Sequence, residues 1–270
     1  VLISLFIFFC LYGAFRIRRK NLAASKMNLE EEVNQIAAMP LVHQPGARFS
    51  YGLSTNVLGR LIEIVSQQSL DHYLQNNILM PLEMKDTYFY LPDEKKNRLV
   101  KTYFKTTANQ LEEVDTALFP INYPLQKERQ YFSAIGGLVS TTHDYLKFLN
   151  CLLNEGIASK GKMIISKALL DQFWTNQLGN KTFIFGGFPS PNNFGLGVGL
   201  TTPKGQSMNN ASVGSFFWGG AFNTAYMVDK QRDLITLYFF QRTPFVLPPL
   251  LSKLEKTSIQ IIDQYQYARP

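Results

Sequence analysis

A proline-glycine turn followed by a tyrosine at the mouth of a helix is the feature that most constrains how this chain folds. Pro45-Gly46 predicts a tight turn, and residues 47–50 predict a short extended piece that ends at Tyr51. From residue 54 onward apolar side chains recur at helical spacing, which predicts an amphipathic helix over 55–66. Such an element holds a phenol at a fixed place beside a cleft. The remaining residues decide what chemistry that phenol can serve.

The net charge of +7 is concentrated at the start of the chain. Residues 1–28 hold five of the 27 basic residues and none of the 20 acidic ones, so the rest carries 22 basic against 20 acidic groups. A body so nearly neutral gives no electrostatic case for a nucleic-acid partner. The three histidines lack metal-ligand spacing and two cysteines cannot form a disulfide framework, so we expect no metal site and no cofactor.

Residues 1–15 are almost wholly apolar and are followed by a basic cluster over 16–20. The run is shorter than the ~20 residues that cross a bilayer and longer than many signal-peptide cores. Two readings stay open: a membrane-associated segment, with membrane contact through residues 1–20, or a head that is not native to the cytoplasmic or periplasmic domain behind it. We therefore divide the chain into a head over 1–28 and a domain over 29–270.

The body of the chain predicts helices first, then antiparallel strands, then a C-terminal helix. Helices are expected over 28–39, after a Ser69 cap, from a Thr141–Asp144 capping box to Gly156, over 166–174 and after Pro248-Pro249. Strands are expected around 82–91, 103 and 118–121, and over 194–200, 215–218, 225–229 and 234–241. This order predicts an α+β fold with one antiparallel sheet covered by helices.

Two details of these helices follow from the pattern. In the last helix, the apolar residues expected to face inward are Leu250, Leu251, Leu254, Ile261 and Ile262. The pair His143-Asp144 has the composition of a catalytic dyad but sits at a helix start, where capping and solvation account for it.

Four stretches in this order resemble the serine β-lactamase and penicillin-binding-protein superfamily, and most closely its class C-like branch, which includes the family VIII carboxylesterases. They are Tyr51-Gly52-Leu53-Ser54 after the Pro-Gly turn, Pro81-Leu82-Glu83-Met84-Lys85-Asp86-Thr87, Gly136-Gly137-Leu138-Val139-Ser140-Thr141-Thr142-His143-Asp144-Tyr145, and Trp218-Gly219-Gly220. The resemblance covers roughly residues 29–265. It implies a β-lactamase/transpeptidase-like fold, an antiparallel sheet flanked by helices.

The resemblance also implies acyl transfer to the serine of a Ser-x-x-Lys motif. Tyr51 would act there as a base or proton relay, because a phenol whose ordinary pKa is about 10 needs a neighbouring cation to serve near neutrality. Trp218-Gly219-Gly220 takes the place of the Lys-Thr-Gly of true β-lactamases and would line the substrate cleft together with Leu53. The backbone N–H of Ala221 would form one half of an oxyanion hole.

This sequence departs from the family at two places. Leu53 stands where β-lactamases place an asparagine that binds the substrate amide, and with Trp218 this favours an esterase-like site. No Ser-x-x-Lys precedes Tyr51, so no nucleophile is identified. The literal match Ser159-Lys160-Gly161-Lys162 follows Tyr51 and lies in a glycine-containing connector between two helices, which makes it a poor candidate.

We therefore expect the fold without its N-terminal portion, which would hold the nucleophile helix and the first strands of the sheet. The leading functional hypothesis is a fragmentary or degenerate serine hydrolase, inactive as written, with an ester or β-lactam-like small molecule as its ligand. One alternative is a non-catalytic binding module, with or without a membrane tether. Another is a fragment of a longer, active hydrolase.

Overall fold

The computed structural model describes residues 27–106, 110–114, 123–125, 131–185, 188–243 and 249–267. Residues 1–26 of the head predicted over 1–28, and the strand expected at 118–121, lie outside these residues. In the described part, no helix is long and apolar enough to cross a membrane. The chain divides into two compact units, unit 1 with Val1–Lys101 and Val114–Asp144, and unit 2 with Thr102–Glu113 and Tyr145–Pro270.

Helices dominate the described part of unit 1. They are α1 (Leu29–Ala37), α2 (Ser54–Ser66) and α3 (Leu70–Leu74), with a π-helical turn Gln75–Leu79 and 3-10 turns Asp93–Arg98 and Tyr123–Leu125. A capping box starts α1 because the Asn28 side chain accepts from the Glu31 N–H at 2.9 Å, and the Glu31 carboxylate accepts from the Asn28 N–H at 3.0 Å. These bounds confirm the helices expected at 28–39, at 55–66 and after Ser69.

A glycine lets α2 approach its neighbours in unit 1. A methyl group at Gly59 would lie 2.9 Å from the Cβ of Ala134 and 3.1 Å from a side-chain carbon of Leu70. Around this contact Leu29, Leu70 and Phe89 are each 2% exposed and form the core of the unit. The close packing fixes α2, and with it the position of Tyr51 one turn before its start.

Antiparallel strands form the centre of unit 2. The five-stranded sheet has the order β5 (Asn193–Phe194), β6 (Gly199–Leu200), β7 (Phe216–Gly219), β8 (Thr224–Asp229) and β9 (Leu234–Phe239). Smaller sheets join β10 (Arg242–Thr243), β1 (Tyr103–Lys105) and β2 (Leu111–Glu113), and pair β3 (Ile184–Phe185) with β4 (Phe188–Pro189). Every pair is antiparallel except β1 with β10.

Helices pack on both faces of the five-stranded sheet. Phe216 on β7 faces a core made with α4 (Thr142–Leu153) and α5 (Lys167–Phe173). Met227, on the other face, packs against Ile259 of α7 (Pro249–Tyr267), which in turn contacts α6 (Pro203–Asn209). This arrangement confirms the predicted α+β fold with an antiparallel sheet flanked by helices.

Two predicted strands differ from the structure. Residues 82–91 form no strand and contribute only an isolated bridge between Tyr88 and Val139. Residues 194–200 form a hairpin rather than one strand, because the chain turns at Gly197 with a φ of +83° and Phe194 pairs back with Gly199. A glycine reaches this φ without steric cost. The alternation of apolar residues and glycines predicted a single strand because it does not distinguish a glycine within a strand from a glycine at a turn.

The buried face of α7 was also predicted only in part. Leu251 is 1% exposed as expected, but Leu250 is 51% and Ile261 is 58% exposed. The face that packs inward runs through Leu251, Glu255 and Ile259 at four-residue spacing. Because Glu255 is polar, the apolar face predicted from the sequence lies one position away from the face that is buried in the structure.

Candidate active site

The loop before Tyr51 is fixed by the predicted Pro-Gly turn. The Ala47 N–H donates to the Gln44 carbonyl at 3.1 Å, and Gly46 has a φ of +83°, as the third residue of a type II turn requires. A side-chain contact of 2.8 Å between His43 Nε2 and Ser50 Oγ then ties the two ends of the loop together. The residue immediately before Tyr51 is thus held in place.

Tyr51 is exposed between two buried anchors. Phe49 is 5% and Leu53 is 2% exposed, whereas Tyr51 is 43% exposed. Phe49 and Leu53 thus anchor this stretch on either side of Tyr51, and Tyr51 stays exposed to solvent. Leu53, which the resemblance placed in a substrate cleft, packs in this core beside Ile36 and Ile135.

A buried polar network lies under the same helix start. Asn56 on α2 donates from Nδ2 to Glu32 Oε2 at 2.6 Å, and its Oδ1 accepts from the Ile135 N–H at 3.1 Å. The Tyr131 hydroxyl donates to the same Glu32 oxygen at 2.5 Å. Glu32 and Asn56 are both 0% exposed. The network joins α1, α2 and the segment before Gly136, and it orients the residues that follow Tyr51.

No motif of the sequence indicates this network. Its one signal in the sequence is Asn56 itself, a polar residue three positions from Leu53 and three from Gly59, on the buried stripe of α2. A polar side chain on a buried stripe needs buried partners. Nothing in the sequence shows that those partners are Glu32 and Tyr131.

Two of the family motifs meet at Asp144, at the start of α4. Its carboxylate accepts from the Asp86 N–H at 2.6 Å and from the Thr87 hydroxyl at 3.1 Å. Its own N–H donates to Thr141 Oγ1 at 3.2 Å, which confirms the expected cap. The expectation of solvation was wrong for Asp144, which is 2% exposed, because its oxygens serve the neighbouring motif instead of water. His143 is exposed.

In unit 2 the Trp-Gly-Gly sequence begins where one β-ladder ends. Strand β6 pairs with β7 at Phe216 and Phe217. Trp218 and Gly219 continue the ladder with β8, opposite Tyr226 and Ala225. The strand predicted at 215–218 is therefore confirmed.

Aromatic side chains surround Trp218. Its ring stacks on Phe183 with centroids 6.1 Å apart and meets Phe194 edge-on at 5.3 Å. Phe183 is 4% exposed, and Trp218 is partly exposed. Trp218, Phe183 and Phe194 thus form an uncharged aromatic cluster.

The turn after this strand carries Ala221. The Gly220 N–H donates to the Thr224 carbonyl at 2.8 Å, and the Asn223 N–H donates to the Gly220 carbonyl at 3.0 Å. A methyl group at Gly220 would lie 2.4 Å from Thr224 Oγ1, so a larger residue there would force the Thr224 side chain to move. Ala221 is exposed at the tip of this turn.

Two other tyrosines are unsuited to proton transfer. Tyr145 and Tyr226 hydrogen-bond to each other in unit 2. Burial raises the pKa of Tyr145 to about 12 and that of Tyr226 well above its ordinary value. Both phenols therefore stay protonated at neutral pH.

The literal Ser-x-x-Lys match is not part of a helix. The Gly161 N–H donates to the Ala158 carbonyl at 2.8 Å, and Gly161 has a φ of +79°, so the residues from Ser159 to Lys162 form a turn. The motif's serine and lysine do not lie on consecutive turns of a helix, as the chemistry requires.

The residues singled out from the sequence fall into both units. Tyr51 and Leu53 belong to unit 1, and Trp218-Gly219-Gly220 and Ala221 belong to unit 2. Within the described ranges, no three His, Cys, Asp or Glu side chains lie close enough together to hold a metal ion.

Comparison with known proteins gives consistent results. A family model described as Beta-lactamase matches residues 14–250. An uncharacterized Mycobacterium tuberculosis protein is 30% identical over 217 residues, which are 77% of this chain and 52% of that protein. The monacolin J acid methylbutanoyltransferase of Aspergillus terreus is 28% identical over 85% of this chain and 57% of its own length. The chain therefore spans about half the length of these curated relatives.

A solved structure shows the same fold. The LovD9 mutant of simvastatin synthase from Aspergillus terreus matches with a TM-score of 0.70 at 24% identity, over 99% of this chain and 69% of that chain. The family match covers most of the chain and includes all four motifs in order. This chain belongs to the Beta-lactamase family, within the superfamily of serine β-lactamases, penicillin-binding-protein homologues and related serine hydrolases and acyltransferases.

Proposed function

We propose that Tyr51 acts as the base or proton relay of an esterase-like acyl-transfer reaction, the role that the family resemblance gives it. We also propose that these 270 residues by themselves do not turn over an ester. One observation carries the first proposal: Tyr51 is 43% exposed although the residues two before and two after it are buried. An exposed phenol held between buried, closely packed residues is suited to proton transfer with a bound ligand.

The reaction we propose needs a serine nucleophile beside Tyr51. As the serine oxygen attacks the ester carbonyl, its proton passes to the Tyr51 and lysine pair, and the carbonyl oxygen becomes an oxyanion. By the family resemblance alone, the Ala221 N–H has the role of an oxyanion donor. When the C–O bond to the leaving alcohol breaks, Tyr51 returns the proton to the alcohol oxygen. Since no Ser-x-x-Lys precedes Tyr51 in these residues, the first step has no nucleophile here.

The substrate class follows from the side chains around the two motifs. Trp218 and Phe194, which are partly exposed and pack on the buried Phe183, present an apolar surface where the resemblance places the lysine of β-lactamases. Leu53 has no amide group with which to bind a lactam. Both features favour an ester with an apolar acyl group, and the Aspergillus terreus relative is itself named a methylbutanoyltransferase.

An ester assay tests the proposal on the chain as it stands. We expect the 270-residue protein to hydrolyse p-nitrophenyl butyrate at the rate of buffer alone, and Tyr51→Phe to give the same rate. Tyr103→Phe, at a tyrosine 38% exposed in unit 2, is the matched control. Turnover above background that disappears in Tyr51→Phe but persists in Tyr103→Phe would show that the chain holds its own nucleophile, and the proposed inactivity would be wrong.

A further inference from the structure

Strand β9 forms one edge of the five-stranded sheet in unit 2. It pairs with β8 over its whole length, from Leu234 to Phe239, and no bulge interrupts the register. Among the described residues, none pairs with or hydrogen-bonds to the backbone on the other side of β9. The outer edge therefore presents a row of backbone N–H and C=O groups, about 20 Å long, to which another strand can pair.

Strand β9 lacks the features that discourage pairing between edge strands. Edge strands of natural proteins often carry a lysine, a proline or a β-bulge for this purpose. The strand reads Leu-Ile-Thr-Leu-Tyr-Phe, without a charged residue or a proline. Two copies of this edge match each other, because a two-fold axis perpendicular to the sheet places identical strands antiparallel. Since the strand is uncharged, the two copies meet without repulsion between like charges.

Helix α7 lies over β9 on one face of the sheet. Ile259 of α7 belongs to an apolar cluster that Leu234 of β9 packs against. Asp263 of α7 accepts from Arg232 Nε at 2.6 Å, and the same guanidinium donates from Nη1 to Ser212 Oγ at 2.6 Å. Because Ser212 lies shortly before β7, the flank of α7 that carries Asp263 faces the middle of the sheet.

The other flank of α7 carries apolar side chains. Leu254 and Ile261 come nine and two positions before Asp263, which at 3.6 residues per turn puts them on the opposite side of the helix. Ile261 is 58% exposed, and Leu254 is partly exposed. This apolar flank therefore faces away from β7 and lies above the outer edge of β9. When two β9 edges pair around the two-fold axis, both α7 helices lie on the same face of the joined sheet, and their apolar flanks meet.

We infer that this chain forms a two-fold dimer in which the outer edges of two β9 strands pair antiparallel and the apolar flanks of two α7 helices pack together over the join. The two five-stranded sheets then form one continuous sheet. A strand about 20 Å long, with a helix layer about 10 Å above it, covers roughly 400 Å² on each copy. An interface of this size is at the weak end of specific interfaces, so we expect a dissociation constant on the order of 10–100 µM.

Analytical ultracentrifugation of the full 270-residue chain tests this inference. Over a concentration range from about 1 to 500 µM, we expect a reversible change from monomer to dimer and no larger species. Ile261→Lys should raise the dissociation constant about tenfold or more, because two isoleucines leave the interface and two like charges face each other. Val65→Lys, at a side chain that is 74% exposed in unit 1, is the matched control and should leave the dissociation constant unchanged.

Hydrogen exchange reports on β9 itself. Alternate N–H groups of this strand point to its outer side, so they should exchange more slowly at high protein concentration than at low concentration. In Ile261→Lys, the exchange of β9 should depend much less on concentration, and circular dichroism confirms that the variant is folded. A chain that stays monomeric over the whole range would overturn the inference. So would a dimer that Ile261→Lys leaves unchanged, exchange of β9 that is independent of concentration in the intact chain, or growth into species larger than a dimer, because a two-fold pairing is closed.

Discussion

A second carboxylate in the network under Tyr51 should destabilise unit 1 strongly. In Asn56→Asp, a carboxylate oxygen replaces the Nδ2 that now lies 2.6 Å from Glu32 Oε2, at a site where both side chains are 0% exposed. The donor is lost and a like charge takes its place. Two unit charges 4 Å apart at an effective dielectric constant of 20 repel by about 4 kcal/mol. Removing the partner of a buried charge lowers the free energy of unfolding by about 3–5 kcal/mol.

The loss of stability in Asn56→Asp should depend on pH. Repulsion and burial raise the folded-state pKa of the introduced carboxyl group above its unfolded value of about 4. A group with a raised folded-state pKa contributes its stability below the unfolded pKa and loses it as pH rises. Asn56→Asp should therefore approach the wild-type stability near pH 4 and fall furthest below it near pH 8.

Urea denaturation at both pH values measures the effect, and two variants control it. The double variant Glu32→Gln, Asn56→Asp has one carboxylate and one amide again, so it should recover most of the lost stability. Asn76→Asp makes the same chemical change at an exposed position and should shift stability by about 0.5 kcal/mol or less. Wild-type stability of Asn56→Asp at pH 8, or an equal loss at both pH values, would refute the reasoning.

Two further predictions concern packing and burial. Gly59→Ala should lower the free energy of unfolding, measured by urea denaturation, by about 1–3 kcal/mol, because its methyl group would lie 2.9 Å from Ala134 Cβ. This loss should outweigh the helix preference of alanine. The control Val65→Ala, at a side chain that is 74% exposed, should leave the free energy of unfolding nearly unchanged. A Gly59→Ala protein more stable than wild type would contradict the packing. Burial raises the pKa of Glu255, despite its hydrogen bond with Asn209, so its ionisation opposes folding above its unfolded pKa. Glu255→Gln should raise the Tm at pH 8 and leave it unchanged near pH 4, and a difference independent of pH would contradict this.

Local signals in the sequence were sufficient to locate most elements of the fold. The Ser69 cap and the spacing of apolar residues after Ser54 predicted helices that the structure contains. The strands β7, β8 and β9 followed from runs of apolar residues separated by turn residues. These signals act over a few residues, so they can be recognised without the rest of the chain.

What the sequence could not show depends on contacts between distant residues. Glu32, Asn56 and Tyr131 are 24 and 75 positions apart along the chain, and no local pattern pairs them. Asp144 could be recognised as a helix cap, but its bonds to the motif around Asp86 required the folded structure.

The role of Tyr51 in acyl transfer is the central claim, and a chimera tests it most directly. Residues 29–270 would be joined to a preceding segment from a family member that carries Ser-x-x-Lys, and hydrolysis of p-nitrophenyl butyrate would be measured. We predict turnover that Tyr51→Phe lowers in kcat by about 100-fold or more with KM little changed, since proton transfer contributes to the transition state rather than to binding. Tyr103→Phe should leave kcat unchanged. A folded, active chimera whose kcat is the same in Tyr51→Phe would contradict the claim.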